Sequence, residues 1–222
     1  MKSRPYSPRN HSLEGLALTP SCPEALVLLL HGYGANGADL MTLGEVVNAR
    51  LPSVGFIAPD GPGRLPFGAN SRYWFELDAR LQMADLDRGV QGARPLLIDY
   101  IDALLNDFKL PAEKMLLLGF SQGGMMALEI APRLERPLGH VMSLSSLLVG
   151  AERLPGELKS RPPIFLGHGT TDPVVPFSAL SQGERVLKAH GFTVAAQAYQ
   201  GVGHGIPSQA IETLANLAQT LI

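Results

Sequence analysis

The sequence predicts an α/β fold in which a mostly parallel sheet of about seven strands is flanked by helices. Three observations lead there. Short apolar runs of strand length recur along the chain, several of them apolar almost throughout, as strands covered on both faces must be. Helix-length segments with apolar residues three and four apart separate these runs. No repeat, low-complexity tract or linker divides residues 1–222, so a single domain is expected.

In chain order, residues 1–20 read as an N-terminal extension ending in the edge strand "SLEGLALT" (12–19). The core strands expected next are "EALVLLLH" (24–31), "VGFIAPD" (54–60), "KMLLLGFS" (114–121), "HVMSLSSLL" (140–148), "PPIFLGHG" (162–169) and "TVAAQAYQG" (193–201). Val90, Ala93, Leu97, Ile101, Leu104, Leu105 and Phe108 share a helical face within 86–108, where Pro95 is expected to kink or divide the helix. Further helices are expected over 122–134, over 178–190 before the stop at Gly191, and from about Ser208 onward. The segment 61–87 is rich in glycine, proline and aromatics and fits neither pattern. It reads as a lid or substrate-binding segment, with Phe67, Trp74 and Phe75 as substrate-binding residues.

The composition excludes several classes of function. With 45% hydrophobic and 17% charged residues the chain can bury a core, and a net charge of −2 suggests no nucleic-acid partner. Cys22 is the only cysteine, so an intrachain disulfide is impossible. No apolar run approaches the roughly 18 residues of a membrane span, and the first residues lack a secretory h-region. A cytoplasmic protein without integral membrane association is therefore expected; its oligomeric state, a homodimer included, stays open.

The chemistry is carried by "GFSQGG" (119–124), which lies between an apolar strand and a helix. In G-x-S-x-G a sharp strand-to-helix turn exposes the serine, and bulky residues two positions away would clash across it. Ser121 is therefore the expected nucleophile, and it needs a base and an acid to orient that base. Asp172, in "GHGTTDPVVP", is the only aspartate after Ser121; Glu152 and Glu157 are the other acids considered. His204, in the glycine-rich "YQGVGHGIP", follows it and is the expected base. His190 precedes a stop glycine at the end of a helix, where a structural role is expected. His31 and His168 belong to no metal-ligand pattern, so no metal is expected. "HGYG" (31–34) follows an early strand, where a loop can supply one backbone N–H to a developing oxyanion. Tyr33 is the expected donor there, and Gln122, next to the nucleophile, the second.

"LLLHGYGANGADL", "IAPDGP", "YWFEL", "LLGFSQGGMMAL", "GHGTTDPVVP" and "YQGVGHGI" together resemble the phospholipase/carboxylesterase family, which includes the acyl-protein thioesterases. The resemblance spans roughly residues 20–220. It implies an α/β-hydrolase fold with Ser121, Asp172 and His204 as the triad and no cofactor. Acyl-protein thioesterases commonly carry leucine where this chain has Tyr33, and bacterial-type carboxylesterases read more like it. The expected substrate is a small ester or other acyl compound with a short to medium chain. Acyl-protein thioesterase, lysophospholipase, peptidase or amidase, and a silent binding module are the alternatives.

Overall fold

The computed structural model describes residues 2–9, 11–66, 68, 70–78 and 82–222. Phe67, one of the expected substrate-binding residues, lies outside them. The strands are β1 (Arg4–Tyr6), β2 (Gly15–Leu18), β3 (Ala25–Leu30), β4 (Val54–Pro59), β5 (Gly63–Arg64), β6 (Arg72–Tyr73), β7 (Met115–Phe120), β8 (His140–Leu144), β9 (Ile164–Gly169) and β10 (Val194–Tyr199). The helices are α1 (Gly37–Asn48), α2 (Met83–Phe108), α3 (Gln122–Ile130), α4 (Leu154–Glu157), α5 (Ser178–Ala189) and α6 (Ser208–Gln219). Eight strands form the main sheet in the order β1-β2-β4-β3-β7-β8-β9-β10, and β5 and β6 form a separate hairpin. From β4 to β10 every neighbouring pair is parallel, while β1 and β2 run antiparallel at one edge. This is an α/β-hydrolase fold.

Side-chain alternation explains why the central strands read as unbroken apolar runs. All six residues of β3 are buried. Leu26, Leu28 and Leu30 enter one core with α2 and α3, and Ala25, Val27 and Leu29 enter the other with α1 and α6. β7 divides in the same way, with Met115 and Leu117 in the first core and Leu116 and Leu118 in the second. A strand between two helical layers has no polar face to show.

Several elements differ from expectation. β1 adds an eighth strand that was not read from the sequence. α1 was not read either: Asn36 caps it by accepting from the N–H groups of Ala38 (2.8 Å) and Asp39 (3.4 Å), while Asp39 accepts from Asn36 N–H (3.0 Å). α2 runs unbroken for 26 residues through Pro95. The proline ring lies on the exposed side, and buried residues on both sides of it, from Leu86 to Leu105, hold the helix against the core. β8 stops at Leu144, so Leu147 and Leu148 belong to the following loop. Among the described residues, no helix is long and apolar enough to cross a membrane.

A buried ionic cluster ties α2, α3 and α4 together. The Glu129 side chain is fully buried and meets Arg94 (2.9 Å), Arg133 (3.1 Å) and Arg153 (2.9 Å). Glu157 contacts the same three arginines, and Asp87 pairs with Arg153 at 2.6 Å. Burial pushes the Glu157 carboxyl up, but Arg133, Arg94 and Arg153 outweigh it and bring it down to about 2. Three cations facing three anions leave the cluster neutral, which is what makes its burial tolerable.

Candidate active site

The C-terminal ends of the parallel strands are where an open α/β sheet presents its loops. Ser121 occupies the turn between β7 and α3 at φ 53° and ψ −116°, a conformation that costs a non-glycine residue roughly 1–3 kcal/mol. The tightness of the turn accounts for the flanking glycines. A Cβ on Gly119 would lie 2.1 Å from the Gly123 carbonyl oxygen, and one on Gly123 would lie 2.0 Å from the Leu30 carbonyl oxygen. Ser121 N–H donates to the Leu144 carbonyl of β8 (2.9 Å), which pins the turn to the sheet.

The loops after β9 and β10 bring two more side chains to the serine. His204 Nε2 is 3.0 Å from Ser121 Oγ, and His204 Nδ1 is 2.8 Å from Asp172 Oδ2. The other carboxylate oxygen of Asp172 accepts from the N–H groups of Val174 (2.8 Å) and Val175 (2.9 Å). Burial pushes the Asp172 carboxyl up, but the hydrogen bonds from His204, Val175 and Val174 prevail and hold it below the usual carboxylate range. An ionised Asp172 accepts from His204 Nδ1–H, which leaves Nε2 free to accept the serine proton.

Glycine also matters on the second loop. A Cβ on Gly32 would be 3.3 Å from Ser121 Cβ and from the Phe120 ring, so the chain after β3 runs close against the nucleophile. Tyr33 N–H donates to no group among the described residues. Gln122 begins α3, and its N–H is one of the first-turn donors that a helix leaves without a partner.

An apolar cavity of about 840 Å³ opens beside these groups. Its walls include Leu86 of α2, Met125 of α3, Leu147 and Leu148 of the loop after β8, Val175, and Val186 of α5. Tyr33, Met83 and Val174 border it as exposed apolar side chains, and among the described residues Arg185 is the only lysine, arginine or carboxylate that lines it.

Trp74 and Phe75 are not among the lining residues. Both are buried in the core behind the site, at 3% and 7% exposure. The cavity walls on α5 and on the loop after β8 were not read from the sequence, because those stretches carry no signal apart from their apolarity. Three further histidines do not contact Ser121. His190 caps α5, its ring 2.9 Å from the Val186 carbonyl. His168 is buried beside Asp172, and His31 is buried beneath the "HGYG" loop. Among the described residues no group of three or more potential metal ligands is found.

A model of the phospholipase/carboxylesterase family matches residues 19–222. The chain belongs to this family. Over 207 residues it is 29% identical to acyl-protein thioesterase 1 of Neurospora crassa, covering 86% of this chain and 84% of that protein. It is 25% identical to acyl-protein thioesterase 1 of Debaryomyces hansenii, covering 93% and 95%. The crystal structure of esterase PE8 superposes with a TM-score of 0.90 at 32% identity, covering 95% of this chain and 99% of that one. Zea mays acyl-protein thioesterase 2, at 24% identity and a TM-score of 0.70, shares the fold. Membership makes this chain a hydrolase of ester or thioester bonds.

Proposed function

We propose that this protein is a serine carboxylesterase that cleaves short- to medium-chain carboxylic esters through an acyl-enzyme. The observation that carries this reading is the continuous chain Ser121–His204–Asp172 at the mouth of an apolar cavity. Ser121 Oγ attacks the acyl carbon as His204 Nε2 takes its proton, and Asp172 stabilises the imidazolium that forms. The tetrahedral oxygen is received by the N–H groups of Tyr33 and Gln122, each worth about 2.7–4 kcal/mol in the transition state. His204 then protonates the leaving alkoxide, and water repeats the sequence to release the acid.

A thioesterase reading has one specific support: both fungal relatives are named as acyl-protein thioesterases. The same atoms would serve, with a thiolate leaving in place of an alkoxide. Mass spectrometry after treatment with an organophosphonate tests the site, because one adduct on Ser121 is expected. A matched set of oxygen esters and thioesters of equal acyl length tests the substrate. An adduct at another serine, or none on active protein, excludes the site. Faster turnover of every thioester overturns the carboxylesterase reading.

A further inference from the structure

His31 is buried, lies outside the Ser121–His204–Asp172 chain, and has both ring nitrogens occupied. Gly61 N–H donates to Nε2 at 2.9 Å, so Nδ1 must carry the proton that it gives to the Gly32 carbonyl at 2.8 Å. Burial lowers the pKa of the ring against the pull of the Gly32 hydrogen bond and Asp60, which keeps it in this neutral form. The Gly32 carbonyl also accepts from Ala35 N–H at 3.2 Å. That carbonyl belongs to the same peptide group as Tyr33 N–H. The peptide is trans, so the two point in opposite directions, and fixing one fixes the other.

The ring that does this is itself held in place. The Trp74 indole packs on His31 with centroids 5.0 Å apart, and its Nε1–H donates to the His31 carbonyl at 2.8 Å. Trp74 N–H donates to Gln122 Oε1 (2.9 Å), and Gln122 Nε2 donates to the Phe75 carbonyl (2.7 Å). The side chain of one oxyanion donor residue is thus linked, through Trp74 and His31, to the peptide that carries the other donor.

We infer that His31 is a positioning residue for the oxyanion site: its Nδ1–H holds the Gly32–Tyr33 peptide in the orientation that aims Tyr33 N–H at the substrate oxygen. Trp74 and the Gln122 side chain keep His31 in register with the nucleophile turn. The inference rests on the proposed esterase reading and adds residues that touch no substrate atom. Without the ring, only the longer contact from Ala35 N–H is left to hold the Gly32 carbonyl, and the aim of the Tyr33 donor is loosened.

Two variants separate aiming from packing. Asparagine can place an amide N–H near the Nδ1 position, so His31→Asn keeps the donor to Gly32 and loses the contact with Gly61, and both variants lose the ring contact with Trp74 alike. Glutamine reaches the Nε2 position, so His31→Gln keeps the Gly61 contact and loses the donor to Gly32. With an ester substrate, His31→Gln is expected to lower kcat about 10²–10³-fold, the effect of one missing oxyanion donor, with KM little changed. His31→Asn is expected to retain most of kcat. Affinity for a trifluoromethyl ketone, which forms a tetrahedral oxyanion adduct, should fall in parallel with kcat in His31→Gln. If His31→Gln does not fold, Trp74→Phe, which removes the indole N–H and part of the ring while keeping an aromatic group against His31, should lower kcat in the same sense by a smaller factor at every chain length. Equal losses in the two His31 variants that track their melting temperatures would overturn the inference. So would kcat of His31→Gln within threefold of the parent, or unchanged kcat in Trp74→Phe where that variant stands in. Failure of the parent protein to label at Ser121 would instead overturn the esterase reading on which it rests.

Discussion

His168 Nε2 lies 3.4 Å from Asp172 Oδ2, so the carboxylate oxygen facing His204 has a second histidine behind it. The same His168 nitrogen is 3.0 Å from the Val175 carbonyl, to which it donates. Together with the two N–H groups on its other oxygen, this leaves the Asp172 side chain no exposed surface and no freedom to turn. Asp172→Asn keeps the oxygen that accepts from Val174 and Val175 and directs an NH₂ at His204. The imidazole must then carry its proton on Nε2 and cannot accept from Ser121. A fall in kcat of up to about 10⁴ is expected with a near-parental melting curve. A loss below tenfold would remove Asp172 from the proposed reaction.

Chain-length preference should follow the cavity. Each acyl methylene buried there contributes about 0.8 kcal/mol, or nearly fourfold in kcat/KM, until the space is full. Gly183 of α5 lies on the wall, where a Cβ would meet Leu166 at 3.5 Å and Leu148 at 4.0 Å, both ordinary contacts. Gly183→Leu should therefore fold, hydrolyse acetyl esters as before, and shift the optimum to shorter chains. An unchanged profile across an ester series would place the acyl chain elsewhere.

The turn at the nucleophile makes a sharper demand. A methyl group on Gly123 has the Leu30 carbonyl oxygen 2.0 Å away, and that oxygen belongs to a central strand that cannot retreat. Gly123→Ala is expected to lower the melting temperature and abolish phosphonate labelling. Full labelling of a stable Gly123→Ala protein would mean that the turn can open to admit a methyl group.

Acid should loosen the cluster between α2, α3 and α4. Glu157 has a pKa of about 2 in the fold against an ordinary value of 4.5, so the unfolded chain takes up the proton first. Its contribution to stability is complete above about 4.5 and is lost as pH falls toward 2. Melting temperature should drop over this interval, less steeply in Glu157→Gln. Asp172, also held low, keeps some slope in the variant. Identical slopes would show that the arginines do not depend on Glu157.

What the sequence made legible follows from where each signal resides. The parallel strands were readable because burial on both faces removes every polar residue from β3 and β7. That Ser121, Asp172 and His204 would meet was readable because each sits just beyond a strand, within a turn that glycine or proline marks. α1 was missed although Asn36 and Asp39 form a capping box, since its apolar positions are interrupted by Gly37 and Gly44. Three-residue β1, with no buried residue, has too little pattern to show. Trp74 was expected to line a pocket because it is large and apolar; the sequence cannot reveal that its indole N–H faces the His31 carbonyl. His31 itself was legible only as the first letter of "HGYG", because its function depends on Gly61, which approaches from a different loop.

The strand order also has a consequence for how the protein is made. Synthesis delivers β3 and β7, and with them Ser121, well before β10, which forms the far edge of the sheet. His204 follows Ser121 by 83 residues and is set in place by the loop that leaves β10. For the length of those 83 residues a nascent chain therefore carries Ser121 with no base beside it. On the proposed mechanism, activity waits until the last strand has docked on β9, and unfinished chains stay inert.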